Sequence, residues 1–167
     1  MARGDPEFVE FVQAASGRLA HAAFLLTGDH HQAEDATQTA LVRTYASWAR
    51  VRRDDPYAYT RQVLVNHIID NWRRPIREQP TDELPHRQRG DVAEEVTARR
   101  LLQVALGTLT ARERAIVVLR YLFDLPELQV ARELGVSLGT VKSTSSRALE
   151  KLRQTLVEAP TSPGGSR

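Results

Sequence analysis

The sequence predicts an all-α protein made of two small helical domains. Apolar residues recur at three- and four-residue intervals along two stretches, and no stretch has the two-residue alternation of a strand. Three prolines and a glycine lie between the two stretches, in a segment typical of a flexible linker. We therefore expect a first domain at 5–74, the Pro-containing linker at 75–91, a second domain at 92–158 and a disordered tail at 159–167.

The first domain begins with two predicted helices. Apolar residues at helical spacing over residues 8–26 form one face of the first helix. This helix ends at Gly28, because glycine readily adopts the positive φ of a helix C-cap. Asp29 is placed to cap the next helix, and Gln32, three residues later, completes the pattern of a capping box. Apolar spacing extends this second helix to about Ala49.

The third helix of this domain follows a basic loop at residues 50–55. Pro56 opens the helix, since proline is well tolerated at the first helical position. The helix stops before the next proline and carries three apolar residues at four-residue spacing, Leu64, Ile68 and Trp72. We expect Trp48 and Trp72 to belong to the core, because both lie at helical spacing.

Helical periodicity returns in the second domain. Thr110 caps a helix there, and Glu113 occupies the position that completes a capping box. The apolar residues that define the helix before this cap are Val92, Val96, Leu101, Leu102, Ala105 and Leu106. Those that define the helix after it are Ile116, Val117, Leu119 and Leu122.

The last part of this domain, residues 128–153, has the pattern of two helices joined by a tight turn. Gly135 supplies the positive φ that stops the first helix, and the Ser137 hydroxyl is placed to cap the second. The first helix has apolar spacing at Leu128, Val130, Ala131 and Leu134. This pattern predicts a helix-turn-helix, although an ordinary helical hairpin with a solvated polar face is the alternative. The polar residues left on the outer side of the second helix are Thr140, Lys142, Ser143, Ser146 and Arg147.

Composition narrows the classes of function. The chain carries 23 basic and 21 acidic residues, a net charge of +2, so any nucleic-acid footprint must come from local clusters of charge. It has no cysteine, which excludes disulfides and thiolate metal sites, and no apolar run approaches the length of a membrane span. The adjacent His30 and His31 would point to different sides of a helix, so we expect no metal there. We expect a cytoplasmic protein without a cofactor and without membrane insertion.

Three segments, taken in order, resemble one protein family. They are HQAEDATQTALVRTYASW, then DPYAYTRQVLVNHIIDNWRR, then LTARERAIVVLRYLFDLPELQVARELGVSLGTVKSTSSRALEKLR. Their order and spacing resemble the extracytoplasmic-function RNA polymerase sigma factors of the sigma-70 family. The segment from LVN to WRR most resembles the actinobacterial SigE-like subgroup.

The resemblance implies how the two domains divide the work. The first, sigma-2, would hold core RNA polymerase and open the −10 promoter element, and the second, sigma-4, would read the −35 element as duplex DNA. The implied partners are core polymerase, through its β′ and β subunits, and promoter DNA. Members of the family are often held inactive by an anti-sigma factor, which is a third candidate partner. The family has no catalytic residues of its own, so we expect no enzymatic activity.

An acidic face at the start of the second helix carries Glu34, Asp35 and Gln38. Such a face suits charge-assisted hydrogen bonds to basic side chains. By resemblance, this stretch docks on a coiled coil of the polymerase β′ subunit. The alternative is a solvated helix start that the helix dipole favours.

The third helix and the loop before it carry the candidates for opening DNA. A protein captures a base that has left the stack by stacking on it and by hydrogen bonds to its edge. Asn66 offers an amide donor and acceptor. By resemblance, Asn66 and the loop at residues 50–55 match the positions that hold the flipped −10 base. Asp70 can accept a hydrogen bond from an exocyclic amine of a base or pair with Arg74 within the helix. The loop has no aromatic residue at its tip, so stacking of a base there is not expected. The predicted set is Arg50, Val51, Arg52, Arg53, Asn66, Asp70, Arg73 and Arg74.

In the predicted recognition helix, Lys142 and Arg147 are the candidates for base edges or phosphates. A bidentate contact between arginine and guanine is the commonest specific one. Thr144 and Ser145 depart from the family pattern, which has a basic and an apolar residue there. We expect this departure to lower phosphate affinity and to loosen the packing of the helix, so that promoter specificity arises only in the assembled polymerase.

Three other functions are alternatives to that of a sigma factor. The stretch from LTARER to GVSLGTVKS also resembles the effector domain of LuxR-type transcription factors, but the preceding residues lack the strand–helix alternation of a sensing domain. An enzyme is disfavoured because the polar clusters form no acid–base pair, no activated nucleophile and no phosphate-binding glycine loop. A helical adaptor that binds only proteins is partly contained in the sigma interpretation, because polymerase binding is itself a protein interaction.

Overall fold

The computed structural model describes residues 5–74 and 95–158, which form two compact units. Within these residues every regular element is helical, which confirms the all-α class. The predicted linker at 75–91 and tail at 159–167 lie outside the described residues. The first unit contains α1 (Pro6–Thr27), α2 (His30–Ala46), α3 (Trp48–Val51) and α4 (Pro56–Arg73). The second contains α5 (Glu95–Gly107), α6 (Ala111–Val117), a π-helical turn (Val118–Leu122), α7 (Glu127–Leu134) and α8 (Leu138–Glu158).

The junction between α1 and α2 is built by local caps. Gly28 ends α1 with a φ of 68°, as predicted. The carboxylate of Asp29 accepts the N–H of Gln32 at 2.9 Å, which starts α2. The N–H of Asp29 itself donates to the hydroxyl of Thr27 at 3.3 Å. Thr27 therefore fills the role that the capping-box pattern assigned to the Gln32 side chain.

In the first unit α2 packs against both α1 and α4. Its inward positions are alanines and two threonines, whose small side chains let the neighbouring helices approach closely. The buried hydroxyls of Thr44 and Thr60 lie 2.9 Å apart and join α2 to α4. The large residues of this core are Leu19 and Leu26 from α1, and Leu64 and Ile68 from α4.

The second helix ends earlier than the sequence predicts. α2 stops at Ala46, because the chain turns at Ser47 and restarts as the short helix α3. The hydroxyl of Tyr59 donates to Oγ of Ser47 at 3.2 Å, which fixes this turn against α4. Residues 50 and 51 are consequently helical, and the predicted loop at 50–55 shrinks to residues 52–55.

Trp48, the first residue of α3, lies in the core as predicted. Its side chain is 6 % exposed, with its ring 5.1 Å from Phe8 and 5.4 Å from Phe11, measured between centroids. These contacts attach α3 to the start of α1. Trp72 is only partly buried.

The second unit starts its central helix with the predicted capping box. Oγ1 of Thr110 accepts the N–H of Glu113 at 3.2 Å, and the Glu113 carboxylate accepts the N–H of Thr110 at 2.9 Å. The same carboxylate accepts hydrogen bonds from Nζ of Lys151 at 2.9 Å. One buried side chain therefore caps α6 and joins it to α8.

The helix-turn-helix is formed by α7, the turn at Gly135 and α8, as predicted. Gly135 has a φ of 66°, and Oγ of Ser137 accepts the N–H of Thr140 at 3.1 Å at the start of α8. The core beneath these helices is made of fully buried aliphatic residues, Ile116, Leu119, Val130 and Val141.

Some residues predicted to face inward in the second unit face solvent. Leu101 and Leu102 on α5 are 37 % and 38 % exposed, and Leu128 on α7 is 51 % exposed. α5 reaches the core through Ala105 and Leu106 instead. Apolar spacing alone could not separate these positions, because it selects a helix face about a hundred degrees wide.

Candidate nucleic-acid and polymerase interfaces

The acidic face of α2 lies at the surface of the first unit. Glu34, Asp35 and Gln38 are all exposed. The Gln38 amide donates to the Glu34 carboxylate at 3.5 Å, and the Asp35 carboxylate lies 4.0 Å from Nε2 of His67. These loose contacts leave carboxylate oxygens available to cationic groups of a partner. A groove between α1 and α2 borders this face, and its lining combines small residues such as Gly17 and Ala20 with larger ones such as Phe24 and Leu41.

The histidines at the start of α2 have no shared geometry for a metal. The ring of His30 stacks on Phe24, with centroids 4.2 Å apart and an interplanar angle of 15°. Within residues 5–74 and 95–158, no three His, Cys, Asp or Glu side chains converge in a group that could hold an ion. His30 therefore packs on an aromatic ring at the junction of α1 and α2.

The predicted basic loop contributes three exposed arginines, Arg50, Arg52 and Arg53. The guanidinium of Arg50 lies 5.9 Å from the centroid of the Tyr59 ring, a cation–π contact. Arg52 donates to the Glu7 carboxylate at 3.2 Å in an exposed ion pair. Such a pair is weak in water, so Arg52 can exchange this partner for a phosphate.

Val51 was predicted to contact DNA with these arginines, and the structure corrects this. Its side chain is 5 % exposed and belongs to the core. The cause is α3, because a helix turns Trp48 and Val51, three residues apart, to the same side. A loop at this position would have left Val51 free to face outward.

An exposed stripe along α4 brings together the predicted residues of the third helix. Asn66, Asp70 and Arg73 are exposed and share one face of α4, because they are spaced by four and three residues. Arg74 is also exposed at the end of the helix, and its N–H donates to the carbonyl of Asp70 at 3.2 Å. In the part of the chain that the structure describes, no ion pair joins the side chains of Asp70 and Arg74.

Tyr59 is a candidate that the sequence interpretation missed. It lies seven residues before Asn66, two helical turns, and so on the same stripe. Its hydroxyl is held by Ser47, and its ring lies beside the Arg50 guanidinium. The exposed amide of Gln62 lies between Tyr59 and Asn66 along the helix. A half-buried aromatic ring therefore lies on the same stripe as the predicted base-binding residue, two turns away, and it comes from α4 and not from the loop tip.

The outer side of α8 is a polar stripe. Four predicted DNA-binding residues are exposed there, Lys142, Ser143, Ser146 and Arg147. The fifth, Thr140, is half-buried, and its hydroxyl lies 2.8 Å from Oγ of Ser137 in the N-cap. The opposite side of the helix is closed against the core by Val141, Ala148 and Leu152.

Thr144 and Ser145 are 3 % and 6 % exposed, on the side of α8 that packs against the core. Oγ1 of Thr144 accepts a hydrogen bond from the Arg147 guanidinium at 3.5 Å, at the edge of the polar stripe. A lowered phosphate affinity stays a prediction. Oγ of Ser145 lies 3.4 Å from the Tyr121 hydroxyl, which gives this buried polar group a partner. A loosened packing of the helix stays a prediction.

Both units of this chain match known protein families. Residues 11–77 match the family model of Sigma-70 region 2, and residues 99–152 match that of Sigma-70, region 4. The chain is 40% identical over 155 residues to the RNA polymerase sigma-E factor of Streptomyces coelicolor, covering 90% of this chain and 86% of that protein. It is 33% identical over 147 residues to the ECF RNA polymerase sigma factor SigL of Mycobacterium tuberculosis, covering 81% of each chain. The chain belongs to the extracytoplasmic-function sigma factors of the sigma-70 family.

Solved sigma factor structures have the same fold as this sigma factor. The sigma factor RpoE of Bartonella quintana, solved in complex with the anti-sigma factor NepR, aligns with a TM-score of 0.65 and 20% identity over 93% of this chain and 100% of that one. CnrH, solved in complex with the cytosolic domain of CnrY, aligns with a TM-score of 0.61 and 21% identity over 92% of this chain and 89% of that one. At these identities the likeness concerns the fold.

As a member of this family, the sigma factor binds core RNA polymerase and promoter DNA and directs transcription initiation at specific promoters. Sigma factors are initiation factors and not enzymes. The LuxR-type alternative is not favoured, because residues 11–77 match sigma-70 region 2. None of the helices within 5–74 and 95–158 combines the length and apolar character needed to cross a membrane.

Proposed function

We propose that this sigma factor holds a promoter at two points, one for each unit. Residues 5–74 act as the sigma-2 domain, residues 92–158 act as the sigma-4 domain, and residues 75–91 tether them. The protein works in the cytoplasm, bound to core polymerase, with no catalytic residue and no cofactor of its own.

The acidic face of α2 is the proposed contact with core polymerase. Glu34 and Asp35 are exposed acidic side chains, with Gln38 one turn further along the helix. A basic surface on the polymerase β′ subunit would form charge-assisted hydrogen bonds with them. The adjoining groove, which Glu34 and Gln38 also line, would offer apolar contacts beside these charged ones.

The stripe on α4 is the proposed site of −10 opening. Asn66 would hydrogen-bond the edge of a base that has left the stack, and Asp70 would accept from an exocyclic amine. Tyr59 would offer a surface for base stacking, worth about 1–3 kcal/mol for each stacked base. The cations around this stripe would neutralise phosphates of the opened strand; they are Arg50, Arg52, Arg53, Arg73 and Arg74.

The observation that carries the proposal is the polar stripe on α8 within a helix-turn-helix. Lys142 and Arg147 are exposed on the second helix of that motif, while its other side is buried. In such motifs the second helix enters the major groove of duplex DNA. Small hydroxyl side chains at Ser143 and Ser146 lie between the two cations and suit contacts to phosphates and base edges.

Reconstituted transcription tests this role. Core polymerase with this protein should initiate from a promoter that carries spaced −35 and −10 elements, whereas neither component alone should do so. Changing Lys142→Ala together with Arg147→Ala should lower −35-dependent transcription at least about tenfold, because each specific base contact is worth about 1–3 kcal/mol. Binding to core polymerase should stay unchanged.

The matched control for this pair is Arg153→Ala. Arg153 is a basic residue on the same helix, two turns beyond Ser146 toward the C-terminal end, with a side chain 74% exposed that pairs with Glu150. It should transcribe like the unchanged protein. Equal loss of core binding and transcription in the Lys142 and Arg147 variant would place these residues in the fold instead. Failure of the unchanged protein to bind core polymerase, where another sigma factor binds, would overturn the whole proposal.

The acidic face is tested separately by Glu34→Gln combined with Asp35→Asn. These changes keep size and exposure but remove two negative charges, so affinity for core polymerase should fall about tenfold or more. Competition against a second sigma factor for limiting core polymerase measures the change. Glu10→Gln is the control, because Glu10 is an exposed carboxylate in the same unit. Unaltered competition by the double variant would remove the acidic face from the polymerase interface.

A further inference from the structure

Leu138 is an apolar residue at the N-terminal end of α8, the end of a recognition helix that contacts base edges in the major groove. It is the first residue of the helix and is 39% exposed. Side chains on a helix tilt toward its N-terminus, so the Leu138 side chain extends toward or past the helix end. The N-terminal residues of a recognition helix are those that contact base edges. We propose that Leu138 contacts the C5 methyl group of a thymine in the −35 element and selects for that base.

The polar groups of the first turn are already engaged in capping. Oγ of Ser137 accepts the N–H of Thr140 at 3.1 Å, and the two hydroxyls lie 2.8 Å apart. Val141 is fully buried. Gly139 has no side chain, and a methyl group placed there would meet only Oγ of Ser137, at 3.9 Å. Leu138 is therefore the large exposed side chain of the turn comprising residues 138–141.

Thymine is the base that this side chain can recognise. In the major groove the C5 methyl group of thymine is the apolar feature that distinguishes it, and apolar side chains read it by contact. Lys142 lies one turn further along the same side of the helix. The selected thymine should therefore adjoin the base pair or phosphate that Lys142 contacts. Burying one such methyl group against Leu138 corresponds to about fourfold in affinity.

A second exposed leucine on α8 serves as a control for Leu138. Single exposed leucines are common on protein surfaces and need no function. Leu156 is one of these, 47% exposed near the other end of α8. Leu138 differs from it by its place in the first turn, beside the polar stripe.

The test uses holoenzyme assembled from core polymerase and the full chain, bound to a promoter on which it initiates. Each −35 thymine, on either strand, is replaced in turn by deoxyuridine, which removes only the methyl group. One replacement should weaken binding by the unchanged holoenzyme about fourfold. Leu138→Ala should bind the thymine and uracil promoters equally, and Leu156→Ala should retain the full difference. Thermal melting by circular dichroism checks that both variants fold.

The outcomes separate this inference from the function on which it rests, the reading of the −35 element by α8. If no uracil replacement weakens binding, or if Leu138→Ala keeps the full preference for thymine, the role of Leu138 is wrong. In either case the Lys142 and Arg147 variant can still lose −35-dependent transcription, and the recognition helix then stands. If that variant transcribes normally as well, the assignment of α8 to the −35 element fails.

Discussion

Asn66 and Asn71 lie on α4 and differ only in the faces they occupy. Asn66 is exposed on the stripe with Asp70 and Arg73. Asn71 is also exposed, but its amide lies 3.3 Å from Nε2 of His67 on another side of the helix. The proposed role in −10 opening therefore belongs to the asparagine on the stripe and not to every exposed asparagine of α4. The helix supplies a matched pair that separates the two.

Asn66→Ala should reduce formation of the open promoter complex about tenfold or more, because two hydrogen bonds to a base edge are lost. Asn71→Ala should open the promoter like the unchanged protein. Permanganate reactivity of unpaired thymines near −10 measures opening, and affinity for core polymerase should be equal in both variants. A comparable loss of opening in Asn71→Ala would show a general effect on α4 and would contradict the assigned role of Asn66.

At the scale of elements, the helix boundaries that the sequence predicts are those with local causes. Gly28 and Gly135 adopt positive φ at two helix ends. The box formed by Thr110 and Glu113 starts α6. Each of these signals lies within about four residues of the boundary that it sets, so the pattern of residues is sufficient to find it.

The boundaries and surfaces that the sequence could not predict depend on distant contacts. The turn at Ser47 is held by the Tyr59 hydroxyl, twelve residues away. That turn creates α3 and buries Val51, and it also brings Arg50 beside the Tyr59 ring. The exposed stripe on α4 was partly predictable, because its spacing is that of one helix face. The inward position of Thr144 was not identified, because a family pattern gives residue types and not the direction of a side chain.

Glu113 joins α6 to α8 through a side chain that is 8 % exposed. Burial alone would raise the pKa of this carboxyl group. The hydrogen bonds and charge of Lys151 and the hydrogen bonds with Thr110 outweigh burial and hold the pKa below its ordinary value of 4.5. Folding therefore favours the ionised carboxylate. Its contribution to stability is fully present above about pH 4.5 and is lost as the pH falls through the lower pKa of the folded state.

Glu113→Gln should lower the free energy of unfolding of the second unit by about 1–2 kcal/mol at neutral pH, through a weakened cap and a lost ion pair. The variant should also lack the acid-dependent loss of stability that this carboxylate causes. Urea unfolding followed by circular dichroism, repeated from neutral to acidic pH, measures both effects.

Two controls accompany that measurement. Both tryptophans of the chain, Trp48 and Trp72, lie in the first unit, so their fluorescence should report unchanged unfolding of that unit. Glu150→Gln removes an exposed carboxylate that pairs with Arg153 at 3.5 Å and should alter stability little. An unchanged acid profile in Glu113→Gln would show that folding does not favour the ionised form of this carboxyl group.

At the scale of the whole molecule, the numbers of acidic and basic side chains are nearly balanced. The net charge is +2, and exposed arginines and lysines around α3, at the end of α4 and on α8 have exposed carboxylates nearby in sequence, such as Asp54, Asp70 and Glu150. A protein of this kind has little overall attraction for the DNA backbone. Two DNA contacts on one chain reinforce each other only when polymerase holds both near their elements, because the second then binds at a high effective concentration.

The isolated chain should therefore bind a duplex that carries the −35 element only weakly, with a Kd of about 10⁻⁶–10⁻⁴ M at physiological salt, as for non-specific binding. The holoenzyme should bind a fragment with both elements at least about a hundredfold more tightly, because it joins the two contacts. Fluorescence anisotropy with labelled DNA, for the chain alone and for the holoenzyme at the same salt concentration, measures the difference. A duplex with a scrambled −35 sequence is the control and should bind the isolated chain almost equally. Nanomolar, sequence-specific binding by the isolated chain would contradict this expectation, because α8 would then recognise the promoter without polymerase.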